Sequence, residues 1–326
     1  MKISLKELSD LTEKAIKSYG YNDEETEVIK NILFYAQLRG NNQGIVKLIG
    51  NGIPKREGIT EMKIVKETPV SALVDGGKNH AMLVMERDTE LAIEKAKESG
   101  IGMAGNFNAT ESTGAIGYYV SKVAKEGFIG FACAASPFEL TAPYGSNKAK
   151  FCTNPIAYAV PTEEDPIILD FTTSAIAYYG LVEAKTAGKD VSEGCGYDSE
   201  GNPTVKPEEI LNGAIATMAK HKGSGLAMIV QILAGPLVRA DFFDTNSKNA
   251  GNLIIAIDPN IMTDKEEFVR EVTRMKKEVK SARLAEGFDE ILVPGERGNR
   301  MRREVEEAGE IEVEDNLLAE LKKVAK

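Results

Sequence analysis

The sequence predicts an α/β protein with more than one subdomain, and three observations carry that prediction. The chain has 326 residues, and single cores stop growing at roughly 250–300 residues, so two or three subdomains are expected. Segments with apolar residues at helical spacing alternate with short β-branched and apolar runs, so both element types are present. The strands outnumber clean β-α-β units, and no Gly-x-Gly-x-x-Gly follows a strand, so nothing points to a Rossmann dinucleotide site.

The elements follow in order. Residues 4–19 carry Leu5, Leu8, Leu11 and Ala15 at helical spacing. Asn22-Asp23-Glu24-Glu25 is a capped helix start, and the helix it opens carries Val28, Ile29, Ile32, Leu33 and Ala36 to about Arg39. Residues 63–74 alternate into short strands. Residues 81–98 form a third long helix ended by Gly100, and residues 102–106 a strand that leads into a loop at Ser112. A helix is predicted over 117–126 and a strand over 129–134. Residues 156–161 and 167–170 pair as a hairpin across Thr162-Glu163-Glu164-Asp165. Residues 174–186 read as a helix. The polar stretch 194–207 contains a turn at 198–203. Residues 225–237 form a very apolar helix, which implies burial on most sides. A strand at 254–258, a charged helix at 265–281 and a mostly helical tail from Arg300 complete the chain. There is no repeat and no low-complexity segment.

Hydrophobic content of 42% and charged content of 28% are those of an ordinary globular protein. A net charge of −10 argues against a nucleic-acid or membrane-surface partner. Residues 1–13 hold spaced Lys and Glu rather than an apolar stretch, so no signal peptide is expected. No run of about 18 apolar residues occurs, so no membrane span is expected and the location expected is cytoplasmic. Cys133, Cys152 and Cys195 have no metal-ligand spacing and read as free thiols, with Cys133 buried in a strand.

Several segments carry chemistry. They are Leu38-Arg39-Gly40-Asn41-Asn42-Gln43-Gly44-Ile45-Val46-Lys47-Leu48, Ser112-Thr113-Gly114-Ala115-Ile116-Gly117-Tyr118-Tyr119 and Pro137-Phe138-Glu139-Leu140-Thr141-Ala142-Pro143-Tyr144-Gly145. Cys152-Thr153-Asn154-Pro155-Ile156-Ala157, Leu169-Asp170-Phe171-Thr172-Thr173-Ser174, His221-Lys222-Gly223-Ser224-Gly225-Leu226, Ala256-Ile257-Asp258-Pro259 and Val293-Pro294-Gly295-Glu296-Arg297 follow. In this order they resemble the motifs of the malate/L-lactate dehydrogenase family of type 2, which includes ureidoglycolate and sulfolactate dehydrogenases. The family's first two patterns are L-R-G-x-D-S-H-G-x-x-R-L and H-F-G-x-x-G-Y-Y. Aligned on Gly44-Ile45-Val46-Lys47-Leu48, where the segment is one residue shorter than the first pattern, Gln43 stands where its histidine falls, and Ser112 stands where that of the second pattern falls.

The resemblance implies a non-Rossmann, largely antiparallel nucleotide-binding domain, residues 71–250. It also implies a first, substrate and dimer, domain made of residues 1–70 plus 251–326. A homodimer and a bound NAD or NADP are expected with it. The cofactor residues it implies are Ser136, Asp170, Phe171, Thr172, His221, Lys222, Gly295, Glu296 and Arg297. Asp170 has a second reading as a helix cap, against which stands a polar ligand held at the strand end. Lys47 falls on the family's carboxylate-binding arginine, where the charge is kept and the bidentate fork lost. Arg39 reads as a helix-end cation, Tyr118 and Tyr119 as core packing, and Glu111 as a solvated loop carboxylate.

Reducing a carbonyl by hydride transfer leaves an alkoxide, and a positioned acid normally supplies the proton. Histidine suits that task, and the chain has two, His80 and His221. His80 precedes a helix and reads as structural. The remaining routes are His221, or water relayed through Asn42, Gln43 and Ser112. An imine arrives already protonated and asks less of the protein. The function expected is an NAD(P)-dependent oxidoreductase acting on a small 2-oxo, 2-hydroxy or cyclic imino acid with a non-standard proton donor. The alternative is a catalytically inactive nucleotide-binding protein of the same fold.

Overall fold

The computed structural model describes residues 1–326, and its elements follow the sequence closely. Strand β1 (Lys2–Ser4) leads into helices α1 (Leu5–Ser18) and α2 (Asp23–Gln37). Ser4 caps α1, and Asn22 and Glu25 form a reciprocal capping box on α2. Strands β2 (Lys63–Thr68) and β3 (Ser71–Asp75) follow, then α3 (Ala81–Ser99), β4 (Ile101–Ala109), α4 (Gly117–Lys125) and β5 (Ile129–Ala135). The hairpin β6 (Ile156–Val160) and β7 (Ile167–Phe171) precedes α5 (Tyr178–Thr186). Two short strands, β8 (Gly196–Tyr197) and β9 (Pro203–Thr204), flank the predicted turn, where Asp198 accepts from the Glu200 and Asn202 amides. The chain then forms α6 (Pro207–Asn212), β10 (Ala214–Ile215), α7 (His221–Leu233) and β11 (Ala250–Ile257). Helices α8 (Lys265–Lys280) and α9 (Glu296–Ala308), strand β12 (Glu310–Glu312) and helix α10 (Asp315–Val324) end it.

One seven-stranded sheet, in the order β2-β3-β4-β11-β5-β6-β7, organises the molecule. Every neighbouring pair is antiparallel except β3 with β4. The sheet runs across both expected domain boundaries, since β2 lies before residue 71 and the central strand β11 runs almost wholly beyond residue 250. Helix α3 packs on β4 at close range. A Cβ on Gly102 would lie 1.8 Å from the Ala92 carbonyl oxygen, so only glycine admits the helix there. The main core gathers α1, α2, α3 and α4 with α10 against this sheet, and β1 pairs with β12 to tie the N-terminus to the tail.

Three expectations need correction. Helix α5 begins at Tyr178, not at residue 174. Thr172 and Ser174 hydroxyls donate to the Ser174 and Ile176 carbonyls, and the Ala175 amide donates to Ala216, so the local backbone is held out of a helix. Helix α7 spans His221–Leu233 and stops before Gly235-Pro236. It is not buried on most sides, because Met228, Ile229 and Ile232 are about half exposed. The short strands β1 and β12 have too few residues to show alternation.

Candidate active site

A cavity of about 950 Å³ opens where the end of α2, the loop before α4, the ends of β5 and β7 and the start of α9 converge. Its size lies near the top of the roughly 300–1,000 Å³ range of small-molecule and cofactor sites. Of the residues expected there, Asn42, Gln43, Ser112, Ser136, Asp170, Phe171, Thr172, Gly295 and Arg297 line it. Lys47, His221, Lys222 and Glu296 do not.

The segment after α2 is held by its own side chains. The Asn41 side-chain oxygen accepts from the Gln43 amide at 3.0 Å, and Gln37 accepts from the Ile45 amide at 3.1 Å. Gln43 in turn donates from Nε2 to the Asn42 side chain at 3.2 Å. Arg39 ends the helix as expected: it donates to the Tyr35 carbonyl, and its guanidinium lies 3.8 Å from the centre of the Tyr35 ring. It also donates to Asn299 and lines the cavity, a placement the sequence did not suggest.

A single 3₁₀ turn, Ile45–Leu48, follows, and all four of its residues are buried. Lys47 is only 1% exposed, so it is a buried wall residue rather than a side chain presented to the cavity. Its Nζ donates to Ser112 Oγ at 2.8 Å and lies 3.5 Å from the centre of the Tyr179 ring. No carboxylate pairs with it, and loss of hydration drives its pKa well below the ordinary lysine value, with the more distant Glu111 opposing. Ser112 Oγ accepts a second bond from the Gly114 amide at 3.2 Å. Nothing in the local sequence around Tyr179 ties it to Lys47.

Neither histidine faces this cavity. His80 is 2% exposed, and its Nδ1 accepts from the Met82 amide at 3.2 Å as the cap of α3. Burial, with Lys47 and Arg56 nearby, pushes its pKa down to about 3, so it stays neutral. His221 starts α7 on the surface, with its ring 6.0 Å from that of Tyr144. It is therefore not placed to protonate a ligand in this cavity, and Lys222 is exposed beside it. Glu111 is exposed and paired with Arg56. Tyr119 is buried and donates to the Thr113 carbonyl, and Tyr118 packs edge-on to it.

On the opposite side, Asp170 accepts from the Gly117 amide at 2.8 Å, so it caps α4 rather than the helix that follows it in sequence. Burial of its carboxyl raises its pKa to about 6. Ser136 Oγ accepts from the Phe138 amide at the end of β5. The 293–296 turn is fastened to β7, where the Ile168 amide donates to Pro294. Gly295 has φ +88°, and a Cβ there would meet the Ile168 backbone at about 3.0 Å. That close approach sets Arg297 at the cavity rim. Glu296 turns away, accepting from Lys280 at 2.6 Å and from the Val293 amide. Cys152 lines the cavity as a half-buried thiol, while Cys133 and Cys195 are buried; all three are free.

These groups suit a nicotinamide nucleotide. Arg297 and Lys248 could offer cations to phosphates, Asp170 an acceptor to ribose hydroxyls, and Phe138 and Phe171 apolar surface. The donor set is that of an organic anion, and no cluster of three metal-binding side chains occurs.

Comparison with known proteins identifies the family. The family model described as malate/L-lactate dehydrogenase matches residues 3–322. Malate/(S)-sulfolactate dehydrogenase of Methanothermus fervidus is 35% identical over 340 residues, covering 100% of this chain and 97% of its own. Ureidoglycolate dehydrogenase (NAD(+)) of Escherichia coli K12 is 28% identical, covering 97% of this chain and 94% of its own. The solved sulfolactate dehydrogenase of Methanocaldococcus jannaschii superposes with a TM-score of 0.82 at 31% identity, covering 99% of this chain and 96% of its own. With the fold, the ordered motifs and the family model in agreement over nearly the whole chain, the protein belongs to the malate/L-lactate dehydrogenase family.

Proposed function

We propose that this chain is an NAD(P)-dependent oxidoreductase that interconverts the C=O and CH–OH groups of a small 2-oxo or 2-hydroxy acid. The cyclic C=N and CH–NH pair is the other group it would accept. One observation carries the reading: a single cavity gathers the cofactor-motif residues Ser136, Asp170, Phe171, Thr172, Gly295 and Arg297 with Asn42, Gln43 and Ser112. When bound, the nicotinamide supplies or removes hydride. The nucleotide is held without a Rossmann unit, along the ends of β5 and β7 and the 293–297 turn.

The protein's own part is to orient and to charge. Asn42 and Gln43, bonded to each other, line the cavity and offer it amide groups that could orient a carbonyl or carboxylate. Ser112 presents a hydroxyl, and Lys47, bonded behind it, is placed to carry the charge that balances an acidic substrate once it is bound. The motif resemblance sets Gln43 and Ser112 at the positions of the family's two histidines, and His221 does not line the cavity, which supports a proton route other than an imidazole. The protein is proposed to work as a cytoplasmic homodimer. No helix is long and apolar enough to cross a membrane.

The test is direct. The protein is titrated with NADH and with NADPH by nicotinamide fluorescence, then assayed with oxaloacetate, pyruvate, glyoxylate and Δ1-piperideine-2-carboxylate. Binding of one nucleotide with turnover of at least one acid is expected. No binding of either nucleotide at millimolar concentration rejects the reading. Tight nucleotide binding without turnover of any acid favours the alternative of an inactive nucleotide-binding protein, which the replaced histidines would explain.

A further inference from the structure

Reduction in this cavity needs a proton source, and the two histidines lie elsewhere. We propose that Ser112 is the proton donor to the substrate and that Lys47, bonded to it from inside the wall, is the source that reprotonates it. The inference rests on the oxidoreductase reading and deepens it.

The hydrogen-bond count at Ser112 is the main argument. A serine hydroxyl has two acceptor sites and one donor hydrogen. Both acceptor sites of Ser112 Oγ are taken, by Lys47 Nζ at 2.8 Å and by the Gly114 amide at 3.2 Å. No protein acceptor takes its own hydrogen, and Ser112 lines the cavity. The hydroxyl is therefore set to donate outward, into the space where a ligand oxygen would sit.

The second argument is the setting of Lys47. It is 1% exposed, its ammonium has the serine oxygen as its hydrogen-bond partner, and it lies over the Tyr179 ring face. A buried lysine meant only to carry charge would be expected to have a carboxylate partner. Here the nearby ionisable groups are Glu111, already paired with Arg56, and the neutral His80. Burial without a carboxylate partner favours the neutral amine and so makes the lysine a readier proton source than one in water. An acidic substrate bound in front of Ser112 favours the charged form, so substrate binding itself loads the proton that the reaction spends.

The step balances. The carbonyl carbon takes hydride from a dihydronicotinamide and forms its C–H bond. The carbonyl π pair takes the Ser112 hydrogen and becomes the O–H bond of the product. The serine oxygen keeps the electrons of its broken O–H bond and is reprotonated from Lys47 Nζ. Lys47 is left neutral and regains a proton from water between turnovers, while the nicotinamide leaves oxidised.

Two measurements on the full-length protein test this. In protein labelled with [ε-¹³C]lysine, the Lys47 signal is identified by its loss in Lys47→Arg. It is expected to titrate well below the surface lysines, with a midpoint that moves in Ser112→Ala. A Lys47 signal that titrates with the surface lysines overturns the proposal, whether or not any nucleotide binds. In kinetics with the acid panel above, Ser112→Ala and Lys47→Arg should each lower kcat by roughly 10²–10⁴-fold. Lys47→Arg keeps the charge, so KM should change little, and the pH limb assigned to Lys47 should disappear. A raised KM with unchanged kcat overturns the proton role and leaves Lys47 as an anion anchor. Lys47→Met serves if the arginine variant does not fold. Asp170 is the rival acid: a pH limb that survives in Ser112→Ala and vanishes in Asp170→Asn overturns the proposal. Absence of NADH and NADPH binding would instead reject the oxidoreductase reading, while the lysine titration still reports on the pair.

Discussion

Asp88 shows how much a single buried group can cost. It is fully buried on α3, where one carboxyl oxygen accepts from Asn106 and the other has no partner. Asn252, which lines the cavity, donates to Asn106 at 3.0 Å, so a chain of amides links the buried acid to the site. Burial raises the Asp88 pKa from 3.8 to about 7. A group whose folded pKa is raised stabilises fully below its unfolded pKa, and that contribution is lost as pH rises through the folded pKa. The window here runs from about pH 4 to about pH 7. Asp88→Asn removes the charge and keeps an acceptor for Asn106. The variant should lose less stability than the unmodified chain between pH 5 and pH 8, by on the order of 1–3 kcal/mol. Urea unfolding at the two pH values measures the difference, and equal losses would mean that Asp88 is hydrated in solution.

At the scale of elements, much of the fold was readable because helix ends carry their own chemistry. The Asn22 capping box, the Gly100 stop and the 198–203 turn are local arrangements, and the structure keeps each one. What could not be read were partnerships between distant segments. Asp170 reads locally as a cap for the next helix, and it caps α4 instead. Lys47 was expected to meet a substrate carboxylate, and it meets Ser112, because local sequence cannot say which neighbour fills the space behind a wall. Glu296 and His221 were placed by motif alone, and Lys280 and the surface of α7 claimed them. His80, read as structural, is the cap of α3, and it allows a test. Its folded pKa of about 3 lies below the ordinary 6.5, so its contribution is present above about 6.5 and lost as pH falls toward 3. Asparagine is among the best capping residues. His80→Asn should therefore show a shallower loss of stability from pH 7 to pH 5, measured by thermal melts, and identical slopes would count against the neutral cap. Gly295→Ala tests the turn that carries Arg297. Its φ of +88° and its contact with the Ile168 backbone predict a loss of about 1–3 kcal/mol. NADPH or NADH affinity should fall with it, whereas unchanged affinity would separate Arg297 from the nucleotide.

For the whole molecule, the surface of α7 sets the argument. A helix that is apolar all round belongs inside a protein, yet this one leaves Met228 48%, Ile229 52% and Ile232 48% exposed in the single chain, with Leu237 at 55% just beyond. Scattered apolar residues on a surface need no explanation, but a contiguous apolar helix face marks an interface. The helices α8 and α9 expose mostly Lys, Arg and Glu, with Met275, Val279 and Met301 as apolar exceptions. A second copy of the chain offers the same apolar face, and a two-fold axis can set one against the other. The site would gain by it: the first turn of α7 packs against the loop carrying Tyr144, where the Tyr144 amide donates to Ser224, and the preceding segment of that loop contributes Phe138 and Leu140 to the cavity wall. Fixing α7 in a dimer would thus steady one side of the cavity. The protein is expected to be a homodimer by light scattering at tens of micromolar. Ile229→Glu with Ile232→Glu should give a folded monomer with weakened nucleotide binding. A monomeric unmodified protein would reject the dimer, and a dimer that survives both glutamates would place its interface on another face.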